Sequence, residues 1–507
     1  MAENIKDFKT FSQVKDARWY PRYHIAAPFG WCNDPNGMCY YKGQYHFFYQ
    51  HYPYEAQWGP MHWGHMVSDD LAYWKHLPIA LKPEKPYELD GDFCGCFSGS
   101  AIEKDGKLWL MYTGHVPAAE TQCLAYSEDG VHFTKFEGNP VLRAPEADDI
   151  SKQDCRDPKV WKHDGKYYCV VGTRTTDEGL ILLFKSDDLI IWDYMGIAAR
   201  SGGYVGGMWE CPNFAEIDGK DVLVFSPIDL NTDSGKFYHD KASGVLIGNL
   251  NYKTGTFKHG EFQYLDKGFD FYAPQIMQTP DGRTITIGWL DTWFVEMHEM
   301  QDGWAGQMAI PRELHIKDGK IISTPPKELE KLRKWKAVTY KDVEFDEAAT
   351  LEGVHGEAYE LLLTIDAKKS KKFSVILRGS DVEETVLRYD ASGKFVLDRS
   401  NAGLPIHIID PHEIFDDVRE VQITPADKLK LQIFVDRSSV EVFINDGAEV
   451  LSARIYPKRT SQKVIFIPDD EIIAIDSVEF YKLDFGLPHP HIKDTTVDLK
   501  QFPFLKG

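Results

Sequence analysis

The sequence predicts an all-β protein, a five-bladed β-propeller followed by a C-terminal β-sandwich. Three observations predict it. Short runs of Val, Ile, Tyr, Phe and Trp, separated by Gly/Asp turns, fill the chain to about residue 320 with little helical periodicity. One glycine turn recurs five times. Beyond residue 337 the strand alternation resumes around the turn Asn445-Asp446-Gly447, which specifies hairpins and, with them, a small antiparallel sandwich.

The repeat carries the architecture. The segments "YKGQYHFFYQ", "KDGKLWLMYTG", "HDGKYYCVVGT", "IDGKDVLVFSP" and "PDGRTITIGWL" align on Gly43, Gly106, Gly165, Gly219 and Gly282, at spacings of 63, 59, 54 and 63 residues. A hairpin with outer strands, repeated at that period, is a blade that buries its faces only against its neighbours. Three units share a further signature after their second strand, "SDDLAYWKH", "SEDGVHFTKF" and "SDDLIIWDYMG". The stretch "STPPKELEKLRKWK" then combines two prolines with charged helix formers, which suits a short helical connector. The expected division is a five-bladed propeller over 1–322, a helical linker over 323–336 and a sandwich over 337–507.

Composition narrows the function. The 507 residues are 43% hydrophobic and 13% aromatic, a globular composition rich in flat faces of the kind on which sugars stack. A net charge of −21 without a Lys/Arg-rich run argues against nucleic acid and anionic membranes as partners. The start, "MAENIKDFKTFSQVKDARWYP", has no apolar core, so no secretory signal is expected, and no run reaches the roughly 18 apolar residues of a membrane span. These features read as a soluble, cytoplasmic chain. Its eight cysteines (32, 39, 94, 96, 123, 155, 169 and 211) form no CxxC pair, which argues against a zinc cluster or disulfide scaffold and for buried free thiols.

The strand before each turn carries the candidate chemistry. Taken alone, "NDPNG" at 33–37 reads as a turn. Its phase says otherwise: Asp34 precedes its turn glycine by nine residues, Asp157 by eight and Glu210 by nine, while Ser98 and Ala273, beside Tyr272, hold the corresponding places in the second and fifth units. Innermost strands line a propeller's axis, so three acids are expected to converge there. Cleaving a glycosidic bond needs a proton donor and a second carboxylate, about 5 to 5.5 Å apart in retaining enzymes and further in inverting ones. Sequence leaves that distance open. Glu210, between Trp209 and Cys211, has the most apolar neighbours and suits the donor. Asp34, flanked by Asn33 and Asn36, suits an ionised carboxylate held by amides. Asp157 follows Arg156, for which a purely structural ion pair is the alternative.

With these motifs the sequence resembles glycoside hydrolase family 32, the β-fructofuranosidases, from "WYPRYHIAAPFGWCNDPNG" to "DRSSVEVFINDG". The resemblance implies retaining catalysis without metal or organic cofactor on a terminal β-D-fructosyl unit. It makes Asp34 the nucleophile, Asp157 the transition-state stabiliser and Glu210 the acid/base. It further implies sugar contacts from Asn33, Gln50, Trp58, Phe97, Ser98, Arg156 and Tyr272, with a wall tryptophan at Trp293 rather than Trp289. Cys32 stands where many members carry methionine; both fill apolar space. Because Cys32, Cys155 and Cys211 flank the acids, thiol reagents are expected to inhibit if those side chains are reachable.

Sucrose, sucrose 6-phosphate and short fructo-oligosaccharides are the expected substrates. The rivals are an exo-acting fructanase, a fructosyltransferase in which a sugar captures the covalent intermediate, and a non-catalytic carbohydrate-binding propeller. Oligomeric state stays open.

Overall fold

The computed structural model describes residues 13–146, 149–232, 235–409 and 416–488, with short strand pieces at 492–493 and 496–497. The charged start over 1–12 lies outside the described residues, as does the end of the chain after 497. The fold is all-β. Among the described residues no α-helix occurs, and no helix is long and apolar enough to cross a membrane.

Five sheets of antiparallel strands come first, over residues 30–81, 95–143, 155–200, 208–264 and 272–324; the first four are each built on four consecutive strands, and in the fifth the strand Trp304–Ala305, which joins the first sheet, falls between the second and third. Their first strands, Gly30–Tyr41, Gly95–Lys104, Cys155–His163, Met208–Ile217 and Tyr272–Gln278, touch one another in a closed ring. The recurring glycines make the first turn of each sheet. Gly43, Gly106, Gly165 and Gly219 have φ of 87°, 75°, 77° and 74°, and the residue before each is also left-handed, the geometry of a two-residue hairpin matched to strand twist. The shared Ser/Asp signature follows the third strand of its sheet, one strand later than its sequence position suggests. There Asp70, Asp129 and Asp188 each accept two backbone N–H groups of the next turn. The ring is latched by Trp304–Ala305, which pairs in parallel with Gly30 and Trp31 of the first strand.

Two further sheets, of six and five strands, share one apolar core built from Leu361, Leu363, Val375, Leu397, Ile433 and Val442 among others. The connector departs from expectation in detail. The strand Lys320–Thr324 belongs to the fifth sheet and runs two residues past 322, and the helical part is a single 3-10 turn at Lys327–Leu332, because Pro325 and Pro326 delay its start.

Sheet ring and sheet pair are joined by buried charge. Arg312, in the fifth sheet, reaches Asp266 at 2.9 Å and Glu441 of the six-stranded sheet at 2.5 Å. Arg399 and Arg454, from the sheet pair, both hold Asp270. His24 bridges Asp436 and Glu441, at 2.9 Å each. Thus residues 19–24, counted with the first domain from sequence, lie against the second: Asp436 also accepts the backbone N–H of Arg22 and Tyr23, and Trp19 donates to the carbonyl of Pro457.

Candidate active site

Every sequence-predicted acid lies near the N-terminal end of an inner strand, so all of them face one rim of the ring. "NDPNG" is not a turn. It continues the strand Gly30–Tyr41, which is interrupted by two bulges, one between Cys32 and Pro35 and one between Asn36 and Cys39. The second bulge contains Gly37 at φ 53°, where a Cβ would fall 2.7 Å from the ring of Phe48.

The other inner strands are bulged at the same level, between Phe97 and Gly99, Arg156 and Lys159, Glu210 and Asn213, and Tyr272 and Gln275. Each of the last three bulges opens on a left-handed residue: Asp157 (φ 65°), Cys211 (φ 49°) and Ala273 (φ 49°). The acids are therefore not at one equivalent position. Asp157 matches Cys211 and Ala273, whereas Glu210 matches Arg156 and Tyr272, one residue earlier. The difference of one residue in their distances from the turn glycines records this offset.

The offset interlocks neighbouring sheets. Asp157 and Ala273 donate their N–H to the hydroxyls of Thr113 and Ser226, on the second strands of the preceding sheets. Cys211 has no such hydroxyl available, because Gly172 stands at the corresponding place and a Cβ there would lie 2.1 Å from the carbonyl oxygen of Trp209. Instead the Cys211 N–H donates to Oδ2 of Asp157 at 2.8 Å. The sulfur of Cys211 then touches two acids, at 3.5 Å from Asp157 and 3.7 Å from Asp34. Asp34 accepts from Asn33 Nδ2 at 2.9 Å and from Ser98 Oγ at 2.8 Å. Glu210 accepts from Arg156 Nη2 at 2.7 Å and Nε at 3.2 Å, and from the hydroxyl of Tyr272. Its carboxyl thus sits among polar donors, not in the apolar setting its sequence neighbours suggest: Trp209 turns away and packs on Phe225.

Burial, with the charges of Glu210 and Asp34 beside it, pushes the Asp157 carboxyl up to about 7, against the pull of Arg156. Burial also raises Asp34; Asn33 and Ser98 oppose the shift and Glu210 adds to it. Both directions mark acids that face each other without a full complement of cations.

Around this cluster, Gln50 donates to the carbonyl of Cys96 and fixes the second inner strand. Trp58 stacks on Phe93 with 4.5 Å between centroids and meets Phe97 edge-on. Trp293 lies over Trp31, and of the two candidate tryptophans it alone keeps exposed surface; Trp289 is fully buried. Asp34, Phe97, Arg156, Glu210, Trp58 and Trp293 all remain partly exposed, so the rim opens to solvent there. The three neighbouring thiols do not. Cys32, Cys155 and Cys211 are buried, and burial pushes each of them up, well away from the reactive thiolate.

A profile of the glycosyl hydrolases family 32 N-terminal domain matches residues 24–325, and one of the family's C-terminal domain matches residues 328–482. The chain belongs to glycosyl hydrolases family 32. It is similar to a sucrose-6-phosphate hydrolase of Escherichia coli, with 38% identity covering 87% of this chain and 90% of that one. A raffinose invertase of Escherichia coli is 39% identical over 88% and 91% of the two chains. Among solved structures, a family 32 β-fructofuranosidase of Bombyx mori superposes with a TM-score of 0.81 at 36% identity, covering 93% of this chain and 96% of that one. A mutant of it has been solved in complex with sucrose. The chain is accordingly a glycoside hydrolase.

Several residues around this cluster escaped sequence reasoning. Phe93 is 58% exposed and adds an aromatic face beside Trp58. His115 stacks flat on Phe97 at 4.1 Å, and Glu120 binds both His115 and Arg156. Thr113 and Gly172 set the bulges. All lie off the inner-strand phase that revealed the acids, and only the pairing His115 with Glu120 across one hairpin left a local trace in "HVPAAE".

Proposed function

We propose that this family 32 enzyme is a retaining β-fructofuranosidase that releases the terminal fructosyl unit of sucrose and of sucrose 6-phosphate. One observation carries the reading: a single sulfur, that of Cys211, touches Asp34 and Asp157, and the adjoining residue is Glu210. Three carboxyl groups therefore meet at one partly exposed rim flanked by aromatic faces. The similarity to a sucrose-6-phosphate hydrolase and an invertase supports the substrates.

Asn33 and Ser98 hold the Asp34 carboxylate in a fixed orientation, suited to attack on the anomeric C2 of the fructosyl ring. Glu210 protonates the departing oxygen, then takes a proton from the water that releases fructose. Asp157, with its carboxyl near 7, accepts the Cys211 N–H on Oδ2 and is left with Oδ1 to bind sugar hydroxyls in either protonation state. Asn33, Ser98, Arg156 and Tyr272 order the acids, Gln50 fixes the strand that carries Ser98, and Trp58, Phe97 and Trp293 supply the wall. The reading extends to the architecture. The five-sheet ring is a five-bladed β-propeller ending near 325, and the sheet pair from 338 is a β-sandwich. Eight free cysteines, seven of them buried, fit a reducing, cytoplasmic setting.

Glu210→Gln tests the acid/base. Loss of about 10²- to 10⁴-fold in kcat on sucrose, with unchanged thermal unfolding, is expected. Undiminished turnover sinks the reading. Specificity constants for sucrose, sucrose 6-phosphate, 1-kestose and inulin decide the leaving group, and a preference for inulin would replace the disaccharidase by a fructanase.

A further inference from the structure

Glu120 is 2% exposed, on the strand Ala119–Ser127 of the second sheet. Its carboxylate collects several donors. Cys155 N–H reaches Oε2 at 2.6 Å, His115 Nδ1 lies 3.0 Å from Oε1, and Arg156 Nη1 is 3.2 Å from both oxygens. The opposite edge of the same guanidinium, Nε and Nη2, holds Glu210. One cation is therefore divided between a buried carboxylate and the carboxyl that serves as the acid.

We infer that Glu120 is a positioning residue for the reaction, which fixes Arg156 and divides its charge between two carboxylates, so that the guanidinium is not committed to Glu210 alone. This rests on the role proposed for Glu210 above. The physical argument is electrostatic. A guanidinium confined to Glu210 would favour that residue's ionised form, whereas a second carboxylate on the other edge both competes for the cation and repels charge on Glu210. The remaining groups facing this chain are His115 on Glu120, Asp154 at 3.3 Å from Arg156 Nη1, the Tyr272 hydroxyl on Glu210, and Asp157 and Asp34 beside them. Only His115 touches Glu120 directly and loses a charged partner with it; Asp154, Tyr272, Asp157 and Asp34 keep their contacts when Glu120 loses its charge.

Glu120→Gln keeps an oxygen for the Cys155 N–H and removes the charge. The alkaline limb of the kcat/KM profile on sucrose is expected to move down by about one pH unit, an approximately tenfold loss on the alkaline side with less than about twofold change on the acid side. Glu120→Asp, which draws the carboxylate back from Arg156 by one methylene, is expected to shift the same limb in the same direction by a smaller amount, about threefold on the alkaline side. It also serves if the glutamine variant does not fold. A profile of unchanged shape in a folded variant, whether activity is intact or uniformly lower, overturns the inference. Glu210→Gln separates the two readings: full turnover there removes the acid/base role itself, while an inactive Glu210→Gln beside an unshifted Glu120→Gln removes only the role of Glu120.

Discussion

The rim of the ring and its seam with the sheet pair both bury carboxylates, and they treat them in opposite ways. At the seam, Asp436 and Glu441 are held below the usual carboxylate range: burial would raise them, but His24, backbone N–H groups and, for Glu441, Arg312 outweigh it. Asp270 is lowered in the same way, by Arg399 and Arg454. At the rim, Asp157 and Asp34 are raised, because burial and facing acids outweigh Arg156, Asn33 and Ser98. Paired acids brace the molecule; the acids that share the open rim are underpaired, which is what the proposed function requires of them. Asp266 and Asp291 qualify the contrast, since burial raises both even beside their arginines.

The contrast can be broken most sharply at Asp34. Asp34→Asn is expected to cost at least about three orders of magnitude in kcat, as loss of a nucleophile does, without lowering the melting temperature, since one of three mutually repelling acids is neutralised. Steady-state kinetics and calorimetry on one sample check both halves. A large drop in Tm would mean that the rim braces the fold as the seam does.

Arg312→Met should show the reverse. It strands Asp266 and Glu441 in the interior, at a cost of about 3–5 kcal/mol in denaturant unfolding, while kcat of the folded protein stays within about twofold. His24 gives a subtler comparison. Burial would lower it, but its bonds to Asp436 and Glu441 raise it to about 9. Its stabilising contribution is therefore complete below its ordinary value of 6.5 and disappears as pH climbs through 9. Wild type is expected to lose stability over that window, on the order of 3 kcal/mol, more than His24→Gln does. Equal losses in the two proteins would dissociate His24 from the seam. The smallest effect concerns the thiols. Iodoacetamide should leave activity within about twofold, because Cys32, Cys155 and Cys211 are buried and protonated. Rapid inactivation that tracks labelling of Cys211 would show that the rim opens further than this structure does.

Much of this was legible in the chain because it is local. A left-handed glycine turn and alternating strand residues are short-range choices, so five phased turns announce five sheets, and the distance from those turns announces the acids to within one residue. What depends on distant chain was not legible. The offset of Glu210 by one residue comes from bulges defined by pairing with another strand. Glu120 is joined to Arg156 across 36 residues of sequence. Trp289 and Trp293 are four residues apart and chemically alike, and only packing buries one of them.

By itself, then, the sequence determined the all-β class, the distance from the turns, to within one residue, that Asp34, Asp157 and Glu210 have in common, and the family. Tertiary structure decided which cation is shared by which carboxylates, which acids are raised and which lowered, and that the three thiols are shielded. The reason is that charge, burial and access are sums over neighbours, and for most of these residues the neighbours arrive from other sheets.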